Sequence, residues 1–366
     1  MGVDVTLGSF GDVLFNSAFG VYVLAMLLHA VEHGLLRRAG VAGGETGEVG
    51  AARPTPVAVG AGSTTSDTGA GSVAASYDRS DPDDLVPDRL VPGAAPDRPA
   101  GDGPTRGPDG PGRPGRPVSE RFGRMGVSLT VLGFGLHLAM LVVRGVAAGR
   151  APWGNMYEFT AAVCLAAVGA WLVVLVRRPE LRRLGVFVLL PVIALMFLGG
   201  TVLYTQTAPV VPALRSYWLA VHVTAAVISS GILLFAGVAS VLYLLRSVHE
   251  SSGRLAWTAW LPESAVLARV AYRATAIAFP IWTFAVLAGA IWAEAAWGRY
   301  WGWDPKETTA FIAWVVYAGY LHARSTAGWR GRKAATVNVV GFAVMVFNLF
   351  FINLVITGLH SYAGVG

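Results

Sequence analysis

Trp297-Gly298-Arg299-Tyr300-Trp301-Gly302-Trp303-Asp304-Pro305-Lys306-Glu307 stands between two long apolar segments, 270–293 and 307–324. Gly298, Gly302 and Pro305 interrupt any helical stripe across it, so the chain leaves one apolar segment, turns through an aromatic loop and enters the next. About 20 mostly apolar residues are needed to cross a bilayer. Working outward from the loop, eight segments meet that length: 13–36, 126–148, 156–177, 185–206, 216–246, 270–293, 307–324 and 335–358. In lipid every backbone polar group must be satisfied within its own segment, which makes these runs helices. The fold expected is all-α: a polytopic integral membrane protein of about eight transmembrane helices.

Composition agrees. Of 366 residues, 54% are apolar and only 14% charged, against roughly 25% charged in soluble domains; mean hydropathy is +0.55. The net charge of +6 is a topology signal and not a nucleic-acid surface, because Lys and Arg cluster between apolar runs. The single cysteine, Cys164, excludes a disulfide framework, a Cys-x-x-Cys redox centre and a cysteine zinc site within the chain. Before the first apolar run stand Asp4 and Asp12 and no Lys or Arg, the reverse of a cleavable signal peptide, so residues 1–38 are expected to hold a permanent helix.

Residues 39–120 are rich in Gly, Pro, Ala, Ser, Thr and Asp and nearly free of aromatics, the composition of a disordered linker. Residues 121–366 then form the main transmembrane domain. Arg37 and Arg38, Arg177 to Arg183, Arg246 to Arg273, and Arg324 to Lys333 mark alternate loops as cytoplasmic. The opposite loops carry only Arg144, Arg150, Arg215, Arg299 and Lys306. Both termini and the tryptophan-rich segment, 292–307, are therefore expected on the outer face of the plasma membrane, with 39–120 cytoplasmic.

Two readings of the aromatic loop compete. Tryptophan and tyrosine gather wherever membrane helices meet water, and Asp304, Pro305 and Glu307 have the spacing of a helix N-terminus with a capping box. Equally, Trp297, Trp301 and Trp303 can offer flat faces and indole donors to a large planar ligand, with Arg299 or Lys306 as a cation for its carboxylates. Histidine positions bear on the choice. His222 lies one turn into the segment that starts at Ser216, with Trp218 four residues earlier on the same helical face. His360 follows Gly358-Leu359 just past the last segment. Each alone is an ordinary interfacial histidine as readily as a ligand. Together with the loop they reach one level of the membrane, and two neutral imidazoles can ligate one haem iron. His322 sits at the other end of its segment beside Arg324; His137 lies deep inside the second, where ionisable groups are costly. His29, His33 and His249 carry no assigned chemistry. Asn155 and Glu158, in Pro152-Trp153-Gly154-Asn155-Met156-Tyr157-Glu158, have the spacing of a second capping box.

Trp-Gly-x-x-Trp-x-Trp-Asp-x-Lys-Glu at 297–307 resembles the tryptophan-rich "WWD" signature of haem-handling proteins of cytochrome c biogenesis. With the Asn-x-Tyr-Glu loop, Tyr217-Trp218 and His222, His322, and Gly358-Leu359-His360-Ser361-Tyr362, the chain from about 126 to its end resembles the CcsA/ResC family of System II, called CcsB in some lineages. The resemblance implies that haem b, the transported cargo, is held at the outer face by axial His222 and His360 against Trp297, Trp301, Trp303, Asp304 and Trp218. It implies a second haem site in the membrane with His322 as one ligand and the other from a ResB-type subunit. Partners would be that subunit, an apocytochrome c carrying Cys-x-x-Cys-His, and the bilayer; thioether formation would require the subunit. Three other readings stay open: a haem exporter without synthase activity, a b-type electron carrier, and a metal-dependent hydrolase using His222, His360, Asp304 and Glu307.

Overall fold

The computed structural model describes residues 4–45, 117–209, 216–326, 328–356 and 358–360. Among these there is no strand. Helices α1 (Val5–Glu45), α2 (Val118–Ala148), α3 (Met156–Arg177), α4 (Gly185–Thr201), α5 (Tyr217–Ser252), α6 (Ser264–Trp297), α7 (Pro305–Ser325) and α8 (Arg332–Leu349) run alternately up and down, and a short α9 (Phe351–Val355) follows a break at Phe350. The protein is an all-α polytopic membrane protein. The linker expected at 39–120 falls mainly on 46–116, outside the described residues; at its edges the chain is helical, since α1 runs to Glu45 and α2 begins at Val118.

Seven spans are long and apolar enough to cross a membrane; α8 and α9 together, Arg332–Val355, form one of them. The eighth expected span, α7, has 21 residues, about 31 Å at 1.5 Å per residue, so length suffices. Lys306, Glu307, His322 and Arg324 at its ends keep its composition below that of the other seven. Several helices overrun the apolar segments that announce them. α5 has 36 residues, about 54 Å against a hydrocarbon core of about 30 Å. Apolarity reports the lipid-buried length; backbone hydrogen bonding carries the helix further.

α5 is the central post. Of its apolar window 72% is buried, against 28–44% for the other spans, and it packs against α3, α6 and α8 while α1 lies along α2 and α4. Gly231 lets α3 approach α5, because a Cβ there would overlap Ala166.

At the end of the bundle that holds the 298–304 loop, polar groups of α1, α2 and α3 are gathered around Arg144, which is fully buried. Its guanidinium meets Asp12 at 3.0 Å, Glu158 at 3.4 Å and the Thr205 carbonyl at 2.7 Å. Glu158, also fully buried, receives Arg150 at 2.7 Å and the Gly154 amide at 3.0 Å. Half of the expected capping box is present: Asn155 Oδ1 accepts the Glu158 amide at 2.8 Å. The Glu158 carboxylate is taken by the two arginines and Gly154. At the opposite end Glu32 pairs with Arg182 at 2.6 Å, His29 lies 3.8 Å from Glu32, and His33 stacks on Trp260 at 3.7 Å. These side chains fasten α1 to the turn before α4 and to the connection between α5 and α6. His137 is fully buried, its ring edge-on to Tyr22.

Removing one partner of a buried ion pair costs roughly 3–5 kcal/mol, whereas exposed pairs are worth about 0–1 kcal/mol. Arg144→Met should therefore lower the thermal unfolding midpoint in detergent markedly. Arg178→Met, which breaks the exposed 3.5 Å pair with Glu180, should leave it nearly unchanged. Equal midpoints for the two variants would show that the Arg144 cluster holds nothing together.

Candidate functional site

The aromatic loop is rigid for reasons its sequence explains. α6 ends on Gly298 in the left-handed region, φ 72°, with its amide on the Glu294 carbonyl at 2.8 Å. α7 begins at Pro305 under Asp304, and the expected capping box forms. Glu307 Oε2 accepts the Gly302 amide at 2.9 Å and the Asp304 amide at 3.2 Å. Between these anchors Trp303 takes φ 56°, a conformation unusual for a bulky side chain and sustained only where neighbours impose it.

Asp304 also reaches past its helix. Its Oδ1 accepts the Leu359 amide at 2.9 Å and its Oδ2 accepts His360 Nδ1–H at 2.9 Å. Only glycine fits at 358, because a Cβ would stand 2.6 Å from Asp304 Oδ1. Burial opposes ionisation of Asp304, but the hydrogen bonds from His360 and the Leu359 amide outweigh it and bring the carboxyl to about 2. Burial lowers the His360 pKa below the ordinary histidine value, and the bond to Asp304 offsets only part of that. His360 is thus a neutral imidazole at pH 7, with Nδ1 protonated and Nε2 basic.

His222 reaches the same state by another route. Its Nδ1 lies 2.8 Å from the Ala285 carbonyl of α6. A carbonyl only accepts, so Nδ1 carries the proton and Nε2 again holds the lone pair. Gly289, one turn along α6, makes room: a Cβ there would come within 2.7 Å of the ring. Fixing the second imidazole nitrogen on an acceptor is how metal-ligating histidines are oriented.

Both histidines line one cavity, whose empty space together with the solvent at its mouth is about 1180 Å³. Trp153, Trp282, Trp292, Trp297 and Trp301 share its wall with Lys306. Trp297 meets His360 edge-on at 5.1 Å, and Trp292 lies 5.7 Å from His222. Five of the residues singled out in the sequence therefore converge: His222, His360, Trp297, Trp301 and Lys306.

The other five lie elsewhere. Trp303 is 66% exposed and packs on Trp301 and Phe311 outside the cavity. The left-handed backbone swings it outward. Arg299 is exposed, its guanidinium over the space that a Gly302 side chain would fill. Trp218 packs with Tyr217 at 5.0 Å, and Trp292 of α6 takes the place beside His222. Asp304 acts on the site through His360. His322 is exposed at the far end of α7, its Nε2 3.3 Å from Thr326 Oγ1, so any chemistry there belongs to a separate site. Sequence reading missed Trp153, Trp282, Trp292, Asn348 and Asn353. Part of the signal was visible: Trp282, Ala285, Gly289, Ala293 and Trp297 recur at three- and four-residue spacing, a small-residue groove bounded by indoles. Among the described residues, no three His, Cys, Asp or Glu side chains are placed to hold a metal ion between them.

Comparison with known proteins bears on this arrangement. Residues 153–360, more than half of the chain, match the family described as Cytochrome C assembly protein. A "Cytochrome c biogenesis protein CcsA" of Synechococcus sp. (strain CC9902) is 36% identical over 254 residues, 62% of this chain and 83% of that protein. The protein of the same description from Mesostigma viride is 31% identical over 270 residues, 67% of this chain and 87% of that protein. That from Chlamydomonas reinhardtii is 43% identical over 157 residues, which cover 44% of its length. The matched region begins at Trp153 on the cavity wall and ends at His360, and α3 to α9 all fall inside it. The chain belongs to the cytochrome c assembly protein family.

Proposed function

We propose that the cavity holds haem b for covalent attachment to apocytochrome c, on the outer side of the plasma membrane. One observation carries the reading. Two imidazoles from distant parts of the chain line a single tryptophan-walled cavity, each with Nδ1 tied to an acceptor and Nε2 basic. That is the preparation expected of a pair of axial ligands. Haem as cargo would supply the iron that accepts both nitrogens and the vinyl groups that take up two thiols. The chain's residues bind, orient and shelter: Asp304 holds His360, Ala285 and Gly289 seat His222, and Trp297 and Trp301 cover the flat ligand.

The outer placement rests on the Arg-rich loops at the opposite end of the bundle. His322 lies at that opposite end, in keeping with a separate earlier site whose second ligand comes from a ResB-type subunit. An incoming Cys-x-x-Cys-His segment would then displace one axial imidazole at the outer cavity. A single cavity at one interface suits handover better than electron transfer between depths.

Absorption spectra of the purified protein test the ligands. Wild type should show a six-coordinate haem signature. His222→Gly and His360→Gly should each lose it and regain part with added imidazole, and Asp304→Ala should weaken retention about 10- to 100-fold. His322→Gly should instead lower the amount of haem arriving while leaving the outer spectrum intact. A colourless wild type, or all three histidine variants with wild-type spectra, would refute the assignment.

Acidification gives a second check. Because the His360 pKa is lowered in the folded protein, the unfolded chain takes up that proton first, so stability falls as pH falls. The unfolding midpoint of the haem-free protein should therefore fall on acidification through the ordinary histidine range more steeply than that of His360→Gln. Equal pH profiles for the two would mean His360 is not held neutral by its surroundings. Co-expression with a ResB-type subunit and an apocytochrome separates synthase from exporter: covalent haem is expected, and free haem outside the cell without attachment would reduce the role to export.

A further inference from the structure

The polar atoms on the cavity wall are unevenly satisfied, and the imbalance has a sign. The indole Nε1 groups of Trp153, Trp282 and Trp292 are buried without hydrogen-bond partners. Asn348, 2% exposed, lines the same wall, and its Oδ1 is likewise unpartnered. Since Oδ1 is the atom shut away from accessible surface, the N–H₂ edge is the one turned toward open space. Glu307, the acidic residue on the wall, holds the Gly302 and Asp304 amides through Oε2. Unpaired buried donors cost free energy until an acceptor arrives. The three indole N–H groups are shut off from accessible surface, which leaves the ammonium and carboxamides of the wall as the donors for a ligand.

The cation falls in one corner. Lys306 Nζ donates to Asn353 Oδ1 at 2.7 Å, and Asn353 in turn donates its own Nδ2 to the Leu349 carbonyl. An ammonium has three N–H donors. Asn353 takes one and aims the others; two remain for a ligand. Asn348 and Asn353 flank the break between α8 and α9; Asn353 joins the first turn of α7 at this corner, and Asn348 lines the same cavity. Arg299, the other cation of the loop, is exposed and lines no part of the cavity.

We propose that Lys306, Asn353 and Asn348 form a carboxylate-binding subsite that fixes which edge of a planar dicarboxylate is held inside the cavity. Lys306 and Asn348 contact the carboxylate, and Asn353 is a positioning residue for Lys306. The inference rests on the haem reading for the identity of the ligand, but its test needs no iron.

Metal-free protoporphyrin IX and its dimethyl ester differ only at the two carboxylates. Each would be titrated into the purified full chain, following quenching of tryptophan fluorescence. Wild type should bind the free acid roughly ten- to a hundredfold more tightly than the ester, the range of one charged hydrogen bond. Lys306→Met should weaken the acid alone and bring the ratio to about one, with ester binding as the control for folding. Lys306→Arg should keep most of the preference, and Asn353→Ala and Asn348→Leu should each lose part of it. Arg299→Met, outside the cavity, should keep the full ratio, and since no metal is present in any arm, failure of the axial-ligand reading leaves this result standing. Equal binding of acid and ester by wild type, or an undiminished ratio in Lys306→Met, would overturn the subsite. If Lys306→Met fails to bind the ester, unchanged ratios in Asn348→Leu and Lys306→Arg together would do the same.

Discussion

The carboxylate of Asp304 joins the aromatic loop to the chain beyond the last span. One oxygen takes the Leu359 amide, the other takes His360 and the first turn of α7. Lys306 on Asn353 and Trp297 against His360 draw the same parts together, but the carboxylate is what fixes the tautomer of His360. Its strength comes from position. A carboxylate that accepts several N–H groups is hard to protonate even where it is buried, which is the physical content of its depressed pKa. Geometry and charge state are thus set by the same hydrogen bonds.

His222 is controlled by backbone where His360 is controlled by a side chain. The Ala285 carbonyl cannot titrate, and Gly289 cannot be enlarged without striking the ring. The two imidazoles therefore differ in how they answer a perturbation. His222 depends on how α5 and α6 pack; His360 depends on one carboxylate and on the loop that carries it. A ligand that must leave during a reaction is better placed on the second kind of support than on the first.

Much of this was readable before any coordinates, and the failures have physical causes. The spans were legible because lipid demands long apolar runs, and α3 begins and ends at the residues expected, Met156 and Arg177. The cap at Asp304 was legible because its residue types are specific to helix starts. What could not be read was direction. Trp303 and Trp301 are two residues apart and chemically identical, yet a left-handed φ at Trp303 sends one outward and leaves the other on the cavity wall. Trp218 was placed beside His222 by four-residue spacing on one helix, whereas the partner is Trp292 of α6. Spacing along a helix says which residues share a face and not what that face meets. Asn348 and Asn353 were invisible because amides within an apolar run look like tolerated polarity until a break in the helix gathers them.

One feature at the same end of the bundle reaches beyond this site. Glu158 lies within residues 153–360, which the family model matches, and Arg144 lies just before them, on α2. These two buried charges of opposite sign join α2 to α3. Each has one further partner of opposite charge, Asp12 for Arg144 and Arg150 for Glu158, so the four side chains form one chain of alternating charge from α1 to the loop at Trp153 and Gly154. A chimera that grafts α1 and α2 of a distant relative onto this core would therefore need a cation at the height of Arg144 to keep that chain unbroken.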